Sequence, residues 1–583
     1  MKRLMTFIKE YRKEAVLAPL FKLLEAVFEL FVPLVIAGII DTGIPTGNLG
    51  HVGKMGCLLL LLAAIGLTVS ITAQYFSAKA AVGVSKNLRQ AVFDHIQSLN
   101  FTNVDRLGTS TLVTRMTSDI NQVQSGINMT LRLFLRSPII VFGAMIMAFT
   151  IDVKSAMIFV VAIPLLAVVV FGIMVLTMPL YKKVQAGLDK VLGITRENLN
   201  GVRVIRAFHL EESETKRFED SNTALAAMQM AVGRISAITN PVTYVIVNGA
   251  IIVLIYTGAI QVNLGNLTQG QVVAIINYMN QILVELVKLA NLIVTMTKAV
   301  ACAERVSDVL EVENKEELPK EYRKELEGEE KPYLVFDHAG LTYEGAGSET
   351  LHDMSFTVKK GQTIGIIGGT GSGKSSLVNM IPGFYPATEG GVYLNGTNIR
   401  EIPEEDLRGK VGVVPQKAVL FAGTIRSNLK WGKENATDEE LWAAIDLAQA
   451  REVVEGKEGK LDAVIEQNGR NLSGGQRQRL TIARALVRQP EILILDDSAS
   501  ALDYATDAKL RQAIRSLEGS MTTFIVSQRA STIRHADQII VLEDGSMAGI
   551  GTHEELLAGC EVYQEIYYSQ YPDEKPGNRK EDK

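Results

Sequence analysis

Six stretches in the first 300 residues of this 583-residue chain are long and apolar enough to cross a bilayer as helices: 15–40, 55–78, 129–149, 155–178, 236–260 and 270–296. Spanning the hydrocarbon takes about 20 such residues. Inside lipid no water meets the backbone N–H and C=O groups, so apolar segments of this length satisfy them internally as helices. An α-helical transmembrane bundle of six spans is therefore expected. Segments three and four are broken only near Asp152 and Lys154, which predicts a tight outer turn. The N-terminus is basic at Lys2, Arg3, Lys9, Arg12 and Lys13, but the apolar run after it carries Lys22, Glu25 and Glu29 and has no small-residue cleavage site. It reads as a retained first span and not as a signal peptide.

Basic residues orient the bundle. The N-terminal segment and the long connections 79–128 and 179–235 hold most of the Lys and Arg, whereas the stretches near 41–54, 150–154 and 261–269 are short and poor in them. By the positive-inside rule both termini and the long connections face the cytoplasm. Those connections, LRQAVFDHIQSL and RVIRAFHLEESETKRFED among them, keep apolar residues at helical spacing and so predict helices extending into water. Within the spans, Lys22/Glu25 and Glu285/Lys288 are each three apart and can meet on one helical face. Membrane-buried charges usually face an interior or a wet cavity, so Glu25, Glu29, Glu285 and Lys288 are candidate cavity residues. Internal pairing, or snorkelling at a boundary, is the competing account.

The remainder of the chain is of another kind. Hydrophobic residues make up 47% and charged residues 21% of the whole, too apolar for an ordinary soluble protein and too charged for one wholly in lipid. The net charge of −5 offers no concentrated basic face, so nucleic acid is not an expected partner. Cys57, Cys302 and Cys560 match no metal spacing or disulfide framework and read as buried small side chains. The charge-dense run EVENKEELPKEYRKELEGEEK, with Pro319, marks a linker (311–331) between a transmembrane domain (1–310) and a second, soluble domain (332–570) that ends in a polar tail (571–583). In this soluble domain short apolar runs alternate with helix-like segments, the pattern of an α/β fold with a mainly parallel sheet.

Gly368-Gly369-Thr370-Gly371-Ser372-Gly373-Lys374-Ser375 matches G-x-x-x-x-G-K-[ST], directly after an apolar strand and leading into the helix-like run SSLVNMI, which opens with Ser375 and Ser376. That context makes the phosphate loop credible. Its glycines let backbone N–H groups turn toward phosphates, Lys374 supplies a point charge, and Ser375 offers a hydroxyl to Mg²⁺. Farther on, ILILDD ends an apolar strand in carboxylates. Asp496 is placed to hold the metal, and Asp497 to polarise water. ATP with Mg²⁺ is the implied cofactor pair.

Leu472-Ser473-Gly474-Gly475-Gln476, about 20 residues before that strand, resembles the ABC signature, and the likeness extends over nearly the whole chain to the half-transporters of the ABC exporter family. The resemblance implies two ATPase domains facing head to tail, each signature closing over nucleotide held by the other chain. It also implies that Tyr343 stacks on adenine, that Gln416 links Mg²⁺ to the membrane-domain contact, and that Asp503 in Ser-Ala-Leu-Asp touches the opposite site. Glu466 would sense the cytoplasmic helices, and segments near 100–107 and 204–211 would be coupling helices docking on ATPase domains.

Two positions depart from the family pattern. Asp497 replaces its water-polarising glutamate, and Gln528 replaces the histidine expected before Arg529. Aspartate is one methylene shorter, and misplacement by about 1 Å can cost about a hundredfold in rate. Glutamine can donate a hydrogen bond but cannot carry the proton that histidine can. The expectation is a multidrug-type heterodimer in the bacterial plasma membrane. This chain holds a hydrolysis-impaired site, and a homologous half-transporter brings the competent Glu/His site. The cargo would be a hydrophobic or amphipathic small molecule, drug-like or lipid-like, moved across the bilayer by alternating access. The alternatives are a homodimeric lipid or peptide exporter, and a membrane protein regulated by ATP without stoichiometric transport.

Overall fold

The computed structural model describes residues 2–314, 332–517 and 521–575. Most of the expected linker 311–331, and residues 576–583 of the expected tail, lie outside them. The chain divides into two compact units, Met1–Ser98 with Thr109–Glu313, and Leu99–Gly108 with Asn314–Lys583. Residues 99–108, which lie inside the first domain by sequence order, thus belong with the second unit.

The first unit is helical throughout. A short α1 (Lys2–Lys9) leads into α2 (Arg12–Gly38), and α3 (Leu49–Ser98) descends to α4 (Phe101–Leu107), itself part of the second unit. α5 (Thr109–Thr114), α6 (Ile120–Leu133) and α7 (Arg136–Ile151) climb back. α8 (Val153–Asn200), α9 (Val202–Ala207), α10 (Glu211–Ala237), α11 (Thr239–Asn263) and α12 (Gln269–Leu310) complete the unit. Among the described residues six helical stretches are long and apolar enough to span a membrane, and each contains one of the expected segments.

Local chemistry sets their ends. The turn near Asp152 is a single residue, whose carboxylate caps α8 by accepting from the Ser155 N–H at 2.8 Å. Thr268 opens α12 with a reciprocal cap to Gln271, satisfying donors that a helix start would otherwise leave unpaired. Small residues bring helices together: a Cβ on Gly126 of α6 would fall 2.2 Å from that of Ala299 in α12. Cys302 and Cys560 are buried, but Cys57 is exposed, correcting the expectation for all three. It lies on α3, whose apolar span is barely covered by protein; in a membrane helix a small apolar side chain can face outward at no cost.

Among its described residues the second unit contains three sheets, the smallest a pair of two-residue strands, 423–424 and 464–465. Strands 411–414, 492–496, 522–526, 363–368 and 538–543 run parallel in that spatial order, with 546–551 antiparallel at the edge. A separate four-stranded sheet, built on strands 334–341, 351–358 and 389–394, is antiparallel. The central strands 363–368, 492–496 and 522–526 are buried along their whole length, as parallel strands covered on both faces must be. Their register pairs Val526 with both Ile366 and Asp496, so three carboxyl ends finish side by side.

The ionisable residues noted in the first and sixth spans form one cluster with Arg136. Lys22 bonds Glu25 at 2.5 Å and Ser70 at 3.1 Å. Arg136 at the foot of α7 reaches Glu29 at 2.6 Å and Glu285 at 2.8 Å, with Glu25 at 3.9 Å. Ser137 and Lys288 bond Glu285 at 2.7 and 2.8 Å. Three carboxylates meet three cations on α2, α7 and α12. Glu285 and Arg136 are buried, whereas Glu29 and Lys288 each keep 41% of their side chains exposed. Removing one partner of a buried pair leaves an uncompensated charge, at a cost of about 3–5 kcal/mol. Arg136→Met should therefore lower the thermal stability of the detergent-solubilised chain by that order, and the double change Arg136→Met/Glu285→Leu should recover most of it. Equal melting of wild type and single variant would show the cluster to be energetically idle.

Candidate functional site

The loops that leave the three aligned strand ends enclose a pocket of about 240 Å³ lined by Thr370, Gly371, Gly373, Lys374, Ser375 and Ser376, with Gln416, Asp496, Asp497 and Gln528. Ligands of open parallel sheets sit at such carboxyl ends. Gly371 and Gly373 have φ of 87° and 92°, values open to glycine and strained for other residues. Gly368 is glycine for closeness, since a Cβ there would lie 2.2 Å from the Leu542 carbonyl oxygen. The loop can turn its N–H groups into the pocket only with these residues.

Lys374 Nζ donates to the carbonyls of Gly368 at 2.9 Å and Gly369 at 2.5 Å, and to Ser372 Oγ at 3.4 Å. Burial lowers the pKa of its ammonium, opposed by the nearby carboxylates Asp497 and Asp496. Ser375 Oγ donates to Asp496 Oδ1 at 3.1 Å. Burial pushes the Asp496 carboxyl above its ordinary range while the Ser375 hydroxyl pulls the other way. A hydroxyl and a buried carboxylate are hard oxygen donors that suit Mg²⁺, which takes one or two carboxylates and completes its shell with water and phosphate oxygens. Gln416 adds an amide nearby. The residues present fit MgATP.

Asp497 follows its strand with φ of 43°, a left-handed conformation that Asp tolerates better than most residues. Its N–H donates to the Val526 carbonyl at 3.0 Å, tying it to the neighbouring strand, and Gln416 Nε2 donates to its Oδ2 at 3.4 Å. Gln528 is exposed at the pocket edge, and its loop is held from outside: Gln570 Nε2 donates to the Gln528 carbonyl at 2.8 Å, and Gln570 Oε1 accepts from the Ala530 N–H at 2.9 Å. Gln570 carries no sequence signal for this role: it lies some 40 residues on, in helix 561–570, which has no motif.

Not every expected nucleotide residue lines the pocket. Gly368, Gly369 and Ser372 support the loop from beneath, and Tyr343 stands one residue away, its hydroxyl donating to Ser376 Oγ at 3.0 Å. Thr350, Val526 and Ser527 line it without having been named; Ser527 adjoins Gln528 and could have been found from that. The signature lies elsewhere. Ser473 caps helix 474–487 reciprocally with Gln476, and no residue from Leu472 to Gln476 lines the pocket. Glu466 is exposed. Asp503 is exposed too and caps helix 504–515, accepting from the Thr506 N–H at 2.9 Å.

α4 packs within this unit. Phe101 lies 4.5 Å from the Phe384 ring, with the Arg408 guanidinium over both rings. Arg106 pairs with Glu344 at 3.4 Å. Tyr385 donates to Asp105 and meets Tyr343 edge-on at 4.9 Å.

Residues 16–286 match the family described as the ABC transporter transmembrane region, and residues 351–500 the one described as ABC transporter. The chain is 37% identical to "Uncharacterized ABC transporter ATP-binding protein YfiB" of Bacillus subtilis, over 98% of this chain and 99% of that one. It is 32% identical to "Probable multidrug resistance ABC transporter ATP-binding/permease protein YheI" of the same organism, over 98% and 97%. The structure of a bacterial Atm1-family ABC exporter with ATP bound superposes with a TM-score of 0.78 at 23% identity, covering 96% of this chain and 98% of that one, which is a likeness of fold. Six membrane helices followed by an ATPase domain with its phosphate loop, metal carboxylate and signature place this chain in the ABC transporter family, as a multi-pass membrane protein with an ATP-hydrolysing domain.

Proposed function

We propose that this chain is one subunit of a heterodimeric exporter of hydrophobic or amphipathic molecules in the bacterial plasma membrane, with its ATPase domain in the cytoplasm. The observation that carries the reading is the composition of one pocket. Lys374, Ser375 and Asp496 are present there for binding, and the two positions that act in hydrolysis hold Asp497 and Gln528. Bound MgATP would supply the phosphate charge that this pocket attracts. Lys374 would orient it, Ser375 and Asp496 would hold the cation side, and the Asp497 carboxylate, one methylene shorter than glutamate, would fall back from the place where it could polarise water. Gln528 can donate a hydrogen bond but no proton. The signature is whole and lies away from this pocket, free to complete a partner's site. The name borne by the relative YheI favours drug-like cargo.

Dimerisation has its own support. α9 has no buried residue, and around it Val204, Phe208 and Leu210 are 58%, 71% and 46% exposed. An apolar tip on a helical extension suits docking on another ATPase domain. Glu29 and Lys288, half exposed within membrane spans, suit a wet translocation cavity. Alternating access follows if closure of the paired ATPase domains is passed to the membrane helices as a rigid-body motion.

The pure chain alone should hydrolyse ATP slowly, and Asp497→Glu with Gln528→His should raise its turnover by about a hundredfold. Combined with a related half-transporter that carries the Glu/His pair, the wild-type chain should give robust activity. Fast hydrolysis by the lone wild-type chain would instead mean a homodimer in which Asp497 suffices. The brace on the Gln528 loop gives a separate expectation. Gln570→Ala removes two hydrogen bonds and should cost about 1–3 kcal/mol of domain stability, and it should weaken MgATP binding by up to about tenfold in a fluorescent-nucleotide titration. Unchanged binding would make the brace purely structural.

A further inference from the structure

Tyr504 opens helix 504–515 with 71% of its surface exposed, so its ring adds little to the core. That ring carries the guanidinium of Arg529, which lies over it at 5.0 Å from the centroid. Arg529 directly follows Gln528, and Gln528 lines the nucleotide pocket. A guanidinium within about 6 Å of a tyrosine centroid is attracted by the ring quadrupole, and the attraction is weak where water has access. A contact so exposed contributes little to the stability of the domain. Its effect is to fix where the Arg529 side chain points.

The other ties of this loop grip its backbone. The Ser527 N–H donates to the Ile366 carbonyl and the Arg529 N–H to Ser527 Oγ, each at 3.0 Å. Gln570 holds the Gln528 carbonyl and the Ala530 N–H. Among the described residues no hydrogen bond holds the Gln528 amide itself, so its direction follows from the backbone beneath it and from its neighbour Arg529. Helix 504–515 supplies a further row of ties that runs in step with the chain after Gln528. Tyr504 takes Arg529, Arg511 Nη1 donates to the Ser531 carbonyl at 2.9 Å, and Arg515 Nη2 donates to the His535 carbonyl at 2.8 Å. Asp507, buried on the same helix, pairs with Arg511 at 3.0 Å, and the Arg529 charge joins Arg511 in opposing the burial that raises its carboxyl. Of this row, Tyr504 is the member that acts next to Gln528.

We propose that Tyr504 is a positioning residue for nucleotide selection: by holding the Arg529 guanidinium it keeps the neighbouring Gln528 amide turned toward the terminal phosphate of bound ATP. The inference rests on the reading of Asp497 and Gln528 as the two positions that act in hydrolysis, which sets both beside the phosphate that is cleaved. ADP lacks that phosphate. The Tyr504–Arg529 contact therefore favours triphosphate over diphosphate, while Lys374 and Ser375 hold either. With the ring gone, the Gln528 amide loses its alignment, and a hydrogen bond weakens steeply as its angle closes.

The test titrates the detergent-solubilised full-length chain with two probes, MgADP and the Mg²⁺ complex of the β,γ-imido analogue of ATP. The analogue is not hydrolysed, so the result does not depend on how fast the chain turns over. Tyr504→Leu should weaken the analogue by about two- to fivefold, the range open to an exposed cation–π contact, and leave MgADP unchanged. Tyr504→Phe keeps the ring and should restore the selectivity. Arg529→Leu should repeat the loss, and Tyr504→Leu added to Gln528→Ala should cost nothing beyond Gln528→Ala alone, because residues that act through one another are not additive. Equal weakening of both probes by Tyr504→Leu would make the pair a strut of the domain and overturn the proposal, as would a further loss in the Gln528→Ala background. If Gln528→Ala lowers the selectivity and Tyr504→Leu does not, the positioning role alone falls. If Gln528→Ala leaves it unchanged, the reading of Gln528 falls with it.

Discussion

The ammonium of Lys374, held on two backbone carbonyls and a hydroxyl, is the interaction on which the ATPase domain depends. Bound in that way, the cation is fixed in place without being neutralised by a salt bridge. Burial of a charge is costly unless something compensates it, and here the compensation is left to a ligand. Everything around the lysine serves that arrangement: left-handed glycines that let the loop curl, a strand under it close enough to exclude a Cβ at Gly368, and two neighbouring strands in register that deliver Asp496 and Ser527–Gln528 to the same edge. The parallel sheet acts as a jig, converting residues more than a hundred positions apart into one pocket.

A path of direct contacts joins α4 to that pocket inside the second unit. Asp105 holds the Tyr385 hydroxyl, the Tyr385 ring meets Tyr343 edge-on, and Tyr343 bonds Ser376 beside Ser375. Each link is a hydrogen bond or an aromatic contact, groups with preferred geometry. A shift of α4 would be felt at the phosphate loop through the same tyrosine that the family resemblance assigns to adenine. This gives the α4 segment, chain-wise part of the membrane domain, a physical reason to fold with the ATPase.

The fold was legible because its signals are local. Six apolar runs, a glycine-rich loop between strand and helix, and a strand ending in Asp496-Asp497 each announce themselves within about 20 residues. What escaped notice depends on distance. Arg136 was hidden inside an apolar stretch, and only folding brings it to Glu25, Glu29 and Glu285, so the pairs expected at three-residue spacing turned out to be halves of a larger cluster. Gln570 and Tyr385 act on loops that sequence order does not connect to them. Cys57 is ambiguous in sequence because burial inside protein and exposure to lipid demand the same side chain. The separate antiparallel sheet was not distinguished either, since short strands 334–341 and 389–394 carry no sign of which sheet they join.

Two ties along α12 decide how the membrane unit can move. Near its middle, Glu285 is bound to Arg136 of α7. Twenty residues on, Arg305 bonds Asp119, just before α6, through two contacts of 2.6 and 3.1 Å. About 30 Å of helix separates the two, and between them Gly126 lets α6 touch Ala299 directly. A helix pair pinned at both ends and in close contact between them cannot slide or splay without breaking a buried ion pair, which is expensive. The segment from Asp119 to Ile151 and α12 must therefore travel together, with α2 carried along through Glu25 and Glu29. Among the described residues no ion pair ties α8, α10 or α11 to this group; α8 and α11 share one apolar core with α2, α7 and α12, and Arg217 of α10 pairs with Glu197 of α8 at 3.2 Å. Apolar contacts are non-directional and can be exchanged at small cost. The charge cluster thus holds α2, α7 and α12 as one group, against which α8 and α11 pack through apolar side chains.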